Sequence, residues 1–347
     1  MHTFLFFKRA CNYLLAGLAG GMLAFGATAA KAETTVVVGY QQIVGPFVSA
    51  IADGSFDRAA KAIGYKIDWR QFSSAGDIST AFASGDVPVG VLGSTGIAAA
   101  VTRGVDIELF WILDNIGHSE ALVVRNGTGI TKPDDLIGKT VAVPFVSTSH
   151  FHLLIALSKI WKINPSKVRI LNMQPPQIVA AWQRGDIDAA YVWPPALIEI
   201  EKTGKVLTDS AAVGAKSVPT FDGIVANKGW AAKNPKFMHM FATVLAKAYG
   251  DFNAHSKQLT ASSPDITGIS KMIGGKPEDI ITALHLLIFP NVTEQASKTW
   301  LGGGKDGGAV RALTASATFL QEQRQIDKPL GSYLPYVTDT YAAAAEK

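Results

Sequence analysis

Two runs of small hydroxyl residues have the composition of an anion site. Gly93-Ser94-Thr95-Gly96 follows the apolar segment 87–92, and Ser147-Thr148-Ser149 follows the apolar segment 141–145. In an open α/β sheet, ligands bind beyond the carboxyl ends of the strands, where the next helix presents unpaired N–H groups and the positive end of its dipole. Serine and threonine are also ordinary helix N-caps, so either run alone has a purely structural explanation.

Two carboxylates and one tryptophan have the chemistry of a cation site. Glu120 precedes an apolar strand, and Asp222 lies in the extended segment 219–227, so both fall where the chain is predicted to pass between two halves. Either acid could meet an ammonium group there, or it could be a solvated turn residue. Trp193, at the end of the strand-like segment 187–193, could cover a ligand or face a cation, or pack into the core.

Motifs for catalysis or metal binding are missing from the sequence. The Gly-rich run before Lys305 has Asp306 where a phosphate loop needs Ser or Thr, and no strand precedes it. His150 and His152 are two residues apart, which points them to different sides of a helix. The only cysteine, Cys11, lies in a predicted leader. We therefore expect no catalytic residues, metal or cofactor.

An internal repeat predicts how the chain positions these residues. Segment 174–195 (QPPQIVAAWQRGDIDAAYVWPP) has a helical pattern that ends at Gly185-Asp186 and then a strand. One hundred residues earlier the same pattern recurs around Gly85-Asp86. A repeat in only two copies cannot form a solenoid. We therefore predict two similar lobes that face each other across a cleft.

Strands that alternate with helices predict a mainly parallel sheet, flanked by helices, in each lobe. We assign residues 33–120 and 223–347 to lobe 1 and residues 121–222 to lobe 2, so that two crossings form a hinge. The segment after Trp230 is mostly helical by pattern and is predicted to pack on lobe 1.

Residues 1–32 are typical of a cleavable secretory signal peptide. Lys8 and Arg9 precede an apolar stretch, which ends near the small-residue site Ala30-Lys31-Ala32. Loss of this leader lowers the net charge of the 347-residue chain from +4 to +1, so neither nucleic acid nor a membrane surface is indicated as a partner. We expect an exported, soluble protein without disulfides.

Five segments carry a family resemblance: SGDVPVGVLGS (84–94), SEALVV (119–124), DLIGKTVAVPFVSTSHF (135–151), QPPQIVAAWQRGDIDAAYVW (174–193) and GKVLTDS (204–210). In these segments the chain resembles the sulfonate/nitrate/taurine substrate-binding proteins of ABC transporters. The region after Lys228 resembles the family only loosely.

The resemblance implies a monomeric periplasmic type II clamshell that closes on taurine and delivers it to a membrane permease and its ATPase. It places Gln41, Ser94, Thr95, Ser147 and Thr148 at the sulfonate. It places Glu120 and Asp222 at the ammonium, and Trp193 against the ethylene or ammonium part.

The sequence alone also allows other ligands and one class of enzyme. The chain departs from the family at 44–46 and at Pro194-Pro195, so another aliphatic sulfonate is an alternative ligand. Nitrate would not need two acids, and a thiamine-precursor pyrimidine would favour more aromatic rings in the cleft. Pyrimidine-precursor synthases look similar in outline, but they use a cysteine-rich motif that this sequence lacks.

Overall fold

Two five-stranded sheets dominate the computed structural model of the protein, which describes residues 33–346. The predicted leader lies outside the described residues. The strands of the described chain are β1 Thr34–Tyr40, β2 Tyr65–Gln71, β3 Val89–Gly93, β4 Ile107–Asn115, β5 Ala121–Arg125, β6 Thr140–Val143, β7 Arg169–Asn172, β8 Ala189–Val192, β9 Gly204–Asp209 and β10 Phe221–Asn227.

Helices cover the sheets and form most of the chain after β10. The α-helices within residues 33–346 are α1 Pro46–Ala52, α2 Ser55–Ala62, α3 Ala75–Ser84, α4 Ser94–Thr102, α5 Thr148–Ile155, α6 Pro175–Arg184, α7 Ala196–Glu201, α8 Ser210–Gly214, α9 Lys228–Lys233, α10 Pro235–His255, α11 Pro264–Ile273, α12 Pro277–Leu286, α13 Val292–Ala296, α14 Gly308–Glu322 and α15 Thr340–Ala345. A π-helical turn, Ala156–Ile160, extends α5, and short 3-10 turns occupy Pro133–Leu136, Pro165–Lys167, Ser256–Gln258, Gly304–Asp306 and Leu334–Tyr336.

The two sheets have equivalent strand orders, which confirms the predicted pair of similar lobes. The first sheet runs β2-β1-β3-β10-β4 and the second runs β7-β6-β8-β5-β9. The repeated helix–strand units, α3–β3 and α6–β8, occupy matching places one hundred residues apart. Gly85 and Gly185 end the two helices at φ 83° and 80°, in the left-handed region that glycine tolerates best.

Each sheet contains one crossing strand that runs against its neighbours. In the first sheet, β10 is antiparallel to both β3 and β4, and in the second, β5 is antiparallel to both β8 and β9. The other pairs, β1 with β2 and β3 and β6 with β7 and β8, are parallel. The pattern of alternating strands and helices predicts only the parallel part, because a strand that arrives from the other sheet enters in the opposite direction.

Helices that follow β10 pack against the first sheet and its helices. An aromatic cluster connects α10, which follows β10, with the part of the first lobe that precedes β5. The ring centroid of Phe241 in α10 lies 4.5 Å from that of Phe56 in α2 and 6.2 Å from that of Phe110 in β4. Burial of several large rings in one cluster is a major stabilising contribution. The lobe boundaries at 120/121 and 222/223 stay a prediction.

Contacts between the lobes hold them close together. Phe151 of α5 packs against Phe319 of α14 with ring centroids 5.0 Å apart, and Lys159 forms an exposed ion pair with Glu322 at 3.2 Å. The exposed pair contributes little to stability, whereas the buried ring contact excludes water. Within residues 33–346, no helix is both long enough and apolar enough to cross a membrane.

Candidate functional site

A cavity of about 50 Å³ lies between the carboxyl ends of the strands of the two sheets. By this measure one water needs roughly 10–15 Å³, so the cavity has room for a molecule the size of a few waters. The residues that line it are Gln41, Ile43, Val44, Ser74, Ala75, Gly93, Gly96, Asp114, Ile116, Ser119, Glu120, Pro144, Phe145, Val146, Ser147, Thr148, Gln174, Trp193, Pro194, Asp222 and Leu287.

Six of the eight residues predicted from the sequence line this cavity: Gln41, Glu120, Ser147, Thr148, Trp193 and Asp222. The other two, Ser94 and Thr95, lie in the first turn of α4 and do not line it, although Gly93 and Gly96 beside them do. Both hydroxyl groups are fully buried and have no hydrogen-bond partner within the described chain. Whether any of the eight contacts a ligand stays a proposal.

Glu120 is the centre of a buried hydrogen-bond network. Its side chain is 4% exposed; Thr148 Oγ1 donates to Oε1 at 2.5 Å, and Ser210 Oγ donates to Oε2 at 3.2 Å. The hydroxyl of Tyr191 lies 3.1 Å from Ser210 Oγ and extends the network away from the cavity. The network fixes the position of the carboxyl group, because each oxygen already has one donor.

Asp222 lies close to a point where the two lobes approach each other. Its Oδ1 atom is 3.1 Å from the position that a Cβ atom at Gly93 would occupy, and Thr148 Cγ2 of the other lobe is 3.2 Å from the same position. Asp222 is half-buried, and the cavity that it lines is enclosed by both lobes. A side chain larger than hydrogen at Gly93 would therefore press on both lobes.

Burial raises the pKa of each carboxyl group that lines the cavity. The pKa of Glu120 rises from 4.5 to about 8, because loss of water outweighs the hydrogen bond from Thr148. Burial likewise raises the pKa of Asp222. The pKa of Asp114 is well above its usual value because of burial first and then the nearby charges of Asp222 and Glu120. The lining residues of the described chain include no lysine, arginine or histidine that could neutralise these acids.

The donors available for an anion are mainly neutral groups at the start of α5. The hydroxyl of Ser147 accepts from the N–H of His150 and donates to the carbonyl of Pro144, so it caps the helix. The hydroxyl of Thr148 donates to Glu120. The residues at the first helical positions present N–H groups that have no intrahelical acceptor, and these can bind an anion.

Four polar lining residues were not predicted from the sequence: Ser74, Asp114, Ser119 and Gln174. Asp114 is the last but one residue of β4. Ser74 and Gln174 are the N-cap residues of α3 and α6, so the hundred-residue repeat that was already visible could have identified them as a pair. The Oε1 atom of Gln174 is buried without a hydrogen-bond partner in the part of the chain that is described, which leaves an amide group for a ligand.

The histidines do not form a metal site in the described chain. His150 stacks on Phe145 with ring centroids 4.4 Å apart, and burial lowers its pKa to about 4. His118 lies outside the cavity lining and pairs with Asp209 at 2.9 Å. Across residues 33–346, no three His, Cys, Asp or Glu side chains are arranged to hold a metal ion.

Two matched lobes with a cavity between them, lined by three carboxyl groups, are the architecture of two-lobed periplasmic binding proteins. The family described as NMT1/THI5 like matches residues 45–258. The taurine-binding periplasmic protein of Escherichia coli (strain K12) is 41% identical over 330 residues, which span 95% of this chain and 98% of that protein. The chain belongs to the NMT1/THI5-like family and, within it, to the family of the Escherichia coli protein.

Solved structures agree with this fold. The alkanesulfonate-binding protein SsuA from Xanthomonas axonopodis pv. citri bound to MOPS superposes with a TM-score of 0.70 at 19% identity and covers 88% of this chain and 98% of its own. The desulfurization enzyme DSZB superposes with a TM-score of 0.59 at 13% identity and covers 90% of this chain and 99% of its own. At such identities the likeness shows the fold alone.

Proposed function

We propose that this protein is the periplasmic solute-binding protein of an ABC importer and that it binds taurine in the cavity between its lobes. It delivers the ligand to a membrane permease and its ATPase and leaves the ligand chemically unchanged. The protein acts as a monomer, and residues 1–32 direct its export and are then removed. The taurine-binding name of the Escherichia coli relative supports this assignment.

The polarity of the cavity is the observation that carries the proposal. Three carboxyl groups, Asp114, Glu120 and Asp222, line a small enclosed space without any basic side chain of the described chain. Buried carboxyl groups need a cation or a proton, and an ammonium group supplies the cation. Helix N–H groups and the side-chain nitrogen of Gln174 remain as donors for the sulfonate, together with the second N–H of Gln41 Nε2, whose first donates to the carbonyl of Val91 at 3.3 Å. A small zwitterion satisfies both ends.

The alternatives fit the cavity less well. Nitrate carries no positive group for the three acids, and a sulfonate without an amine leaves them equally unpaired. A thiamine-precursor pyrimidine is a flat heteroaromatic ring, which would favour more aromatic side chains around it than the cavity provides. Trp193 and Phe145 are the aromatic side chains on the lining, which suits one short ethylene group better than a flat heteroaromatic ring.

Calorimetry on protein purified from the periplasm tests the assignment. We expect taurine to bind roughly tenfold to a hundredfold more tightly than ethanesulfonate, because the amine-free ligand lacks the charge-assisted hydrogen bonds to the acids. Propylamine and nitrate, each with one end only, should bind weakly. Intact mass should show a chain that begins at Glu33, and NMR of the eluted ligand should show unaltered taurine.

The affinities, the identity of the eluted ligand and the intact mass each test a separate part of the proposal. Equal affinity for taurine and ethanesulfonate would refute the role of the acids. Conversion of taurine during incubation would show an enzyme, and retention of residues 1–32 would refute removal of the leader.

Closure over the ligand makes Gly93 a sensitive position. Gly93→Ala is compatible with its backbone angles, φ −69° and ψ 156°, but the new methyl group would press on Asp222 and Thr148. Overpacking costs roughly 1–3 kcal/mol, and the part that comes from Thr148 of the other lobe falls on the closed state. Taurine affinity should therefore fall about tenfold or more in calorimetry, while the contact with Asp222, the strand neighbour of Gly93, also lowers the thermal stability of the ligand-free protein.

Gly250→Ala is a matched control. Gly250 lies in α10, and a Cβ atom there would meet nothing within 4 Å. This substitution should leave taurine affinity unchanged and raise stability slightly, because alanine is the better helix former. Unaltered taurine binding in the Gly93 variant would show that the lobes do not close as tightly around the ligand as the contacts indicate.

A further inference from the structure

The least explained group in the cavity is the carboxyl of Asp114. It is the last but one residue of β4, it is 1% exposed, and its Oδ1 atom has no hydrogen-bond partner within residues 33–346. A buried charged or polar group without a partner is costly. Asp114 lines the cavity, so its carboxyl group borders the space that a ligand would occupy.

The strand pairing places Asp114 next to a second acid. Asp222 pairs with Asp114 across β10 and β4, and Glu120 lies beyond the end of β4. The two oxygens of Glu120 already accept from Thr148 and Ser210, whereas Oδ1 of Asp114 accepts from nothing in the described chain. Asp114 therefore keeps a free acceptor for a ligand, which neither oxygen of Glu120 does.

We propose that Asp114 is a third binding residue for the positive end of the ligand, which rests on the proposed function. A primary ammonium group has three N–H donors, and the cavity offers one carboxyl group for each. The three carboxyl groups do not converge as a metal ion would require, whereas an ammonium group accepts the longer spacing of N–H···O hydrogen bonds. The site thus selects a ligand with a full –NH3+ group.

A purely structural role is the competing explanation, because Asp114 could serve only to hold the two strands together. The test therefore compares taurine with isethionate, which has a hydroxyl group in place of the ammonium group and nearly the same size. Asp114→Asn keeps the size of the side chain and removes its charge. We expect the ratio of isethionate to taurine dissociation constants to fall at least about tenfold in this variant.

Asp188→Asn is the matched control, because Asp188 accepts the backbone N–H of Thr140 at 2.9 Å and does not line the cavity. It should leave the ratio unchanged. Asp114→Asn should also raise the midpoint of thermal unfolding of the ligand-free protein at pH 8, since it removes a buried acid, and Asp114→Ser is the second variant if the first folds poorly.

The outcomes separate this inference from the proposed function. Wild-type protein that does not prefer taurine to isethionate would refute the proposed function itself. Wild-type protein that prefers taurine, with the same ratio in the Asp114 variants, would refute the role of Asp114 and leave taurine binding in place.

Discussion

Glu120→Gln should weaken taurine binding by about 1.5 to 3 kcal/mol, which is roughly tenfold to more than a hundredfold in the dissociation constant. The substitution keeps the shape of the side chain and the hydrogen bond from Thr148, but it removes the charge that faces the ammonium group. Calorimetry at pH 7 and pH 8.5 measures the effect. It should be larger at pH 8.5, where the wild-type carboxyl group is ionised before the ligand arrives.

Asp222→Asn should cause a loss of similar size, since Asp222 lines the same cavity. Ethanesulfonate should lose much less affinity in both variants because it has no amine. Asp209→Asn is the matched control: Asp209 lies near the crossing, pairs with His118 and does not line the cavity, and asparagine also caps helices well. If taurine and ethanesulfonate lost the same affinity, the acids would shape the hinge rather than bind the amine.

The two similar lobes could be predicted from the sequence, because the hundred-residue repeat contains the signals that end each helix and begin the strand after it. The Gly-Asp pairs that follow α3 and α6 require the same helix end, and each is followed by a buried strand of the same sheet position. The same local sequence signals therefore give the same helix–strand unit in each sheet. The direction of the crossing strands β5 and β10 depends instead on where the chain comes from, which no local pattern encodes.

The sequence predicts which positions lie near the site, but it does not predict the direction in which each side chain points. Ser94 and Thr95 were expected at the sulfonate, yet the turn that begins α4 buries both hydroxyls, and only the neighbouring glycines reach the cavity. Thr148 was expected there too, but its hydroxyl donates to Glu120, which is 28 residues away in sequence. Such pairings arise only when distant strands are brought together, so spacing alone cannot reveal them.

The contribution of the C-terminal region to the site was likewise not predictable from the sequence. Nothing after Lys228 was assigned to the site, because the family resemblance is loose there. The structure brings Leu287 into the cavity lining and pairs Ile288 with Asn115 of β4. A loop that follows α12 thus completes the pocket wall, although its sequence has no polar feature that indicates a ligand.

Ligand-free protein should become less stable as the pH rises from 7 to 8.5. Glu120 has a raised pKa of about 8 in the folded state, so the folded protein holds a proton that the unfolded chain, with a pKa near 4.5, has already lost. The stabilising effect of that proton is fully present below pH 4.5 and is lost as the pH rises through 8. Between pH 7 and 8 the free energy of unfolding should fall by about 1 kcal/mol from this group alone, because half of the folded protein has already lost the proton at pH 8.

Between pH 7 and 8.5 the change in stability comes mainly from the carboxyl groups of the cavity and not from the buried histidines. Burial lowers the pKa of His150 and His152 to about 4, so these residues make stability rise with pH only up to about 6.5. Above about pH 7.5 both histidines are almost fully neutral in the folded and unfolded states, and between pH 7 and 7.5 their remaining effect is smaller than that of Glu120. Chemical denaturation at several pH values between 7 and 8.5 should show the decline in wild-type protein and a shallower decline in Glu120→Gln.

Taurine should reverse this dependence, because its ammonium group favours the ionised form of Glu120. Binding at pH 7 should therefore release up to about one proton from Glu120, with a further contribution where Asp222 or Asp114 is protonated, and affinity should rise with pH. Calorimetry in phosphate and Tris buffers counts the released protons through the difference in observed heat. Ethanesulfonate should release none. Identical heats for taurine in both buffers would mean that the acids are already ionised in the empty cavity, and the proposed coupling of ligand charge to proton release would be wrong.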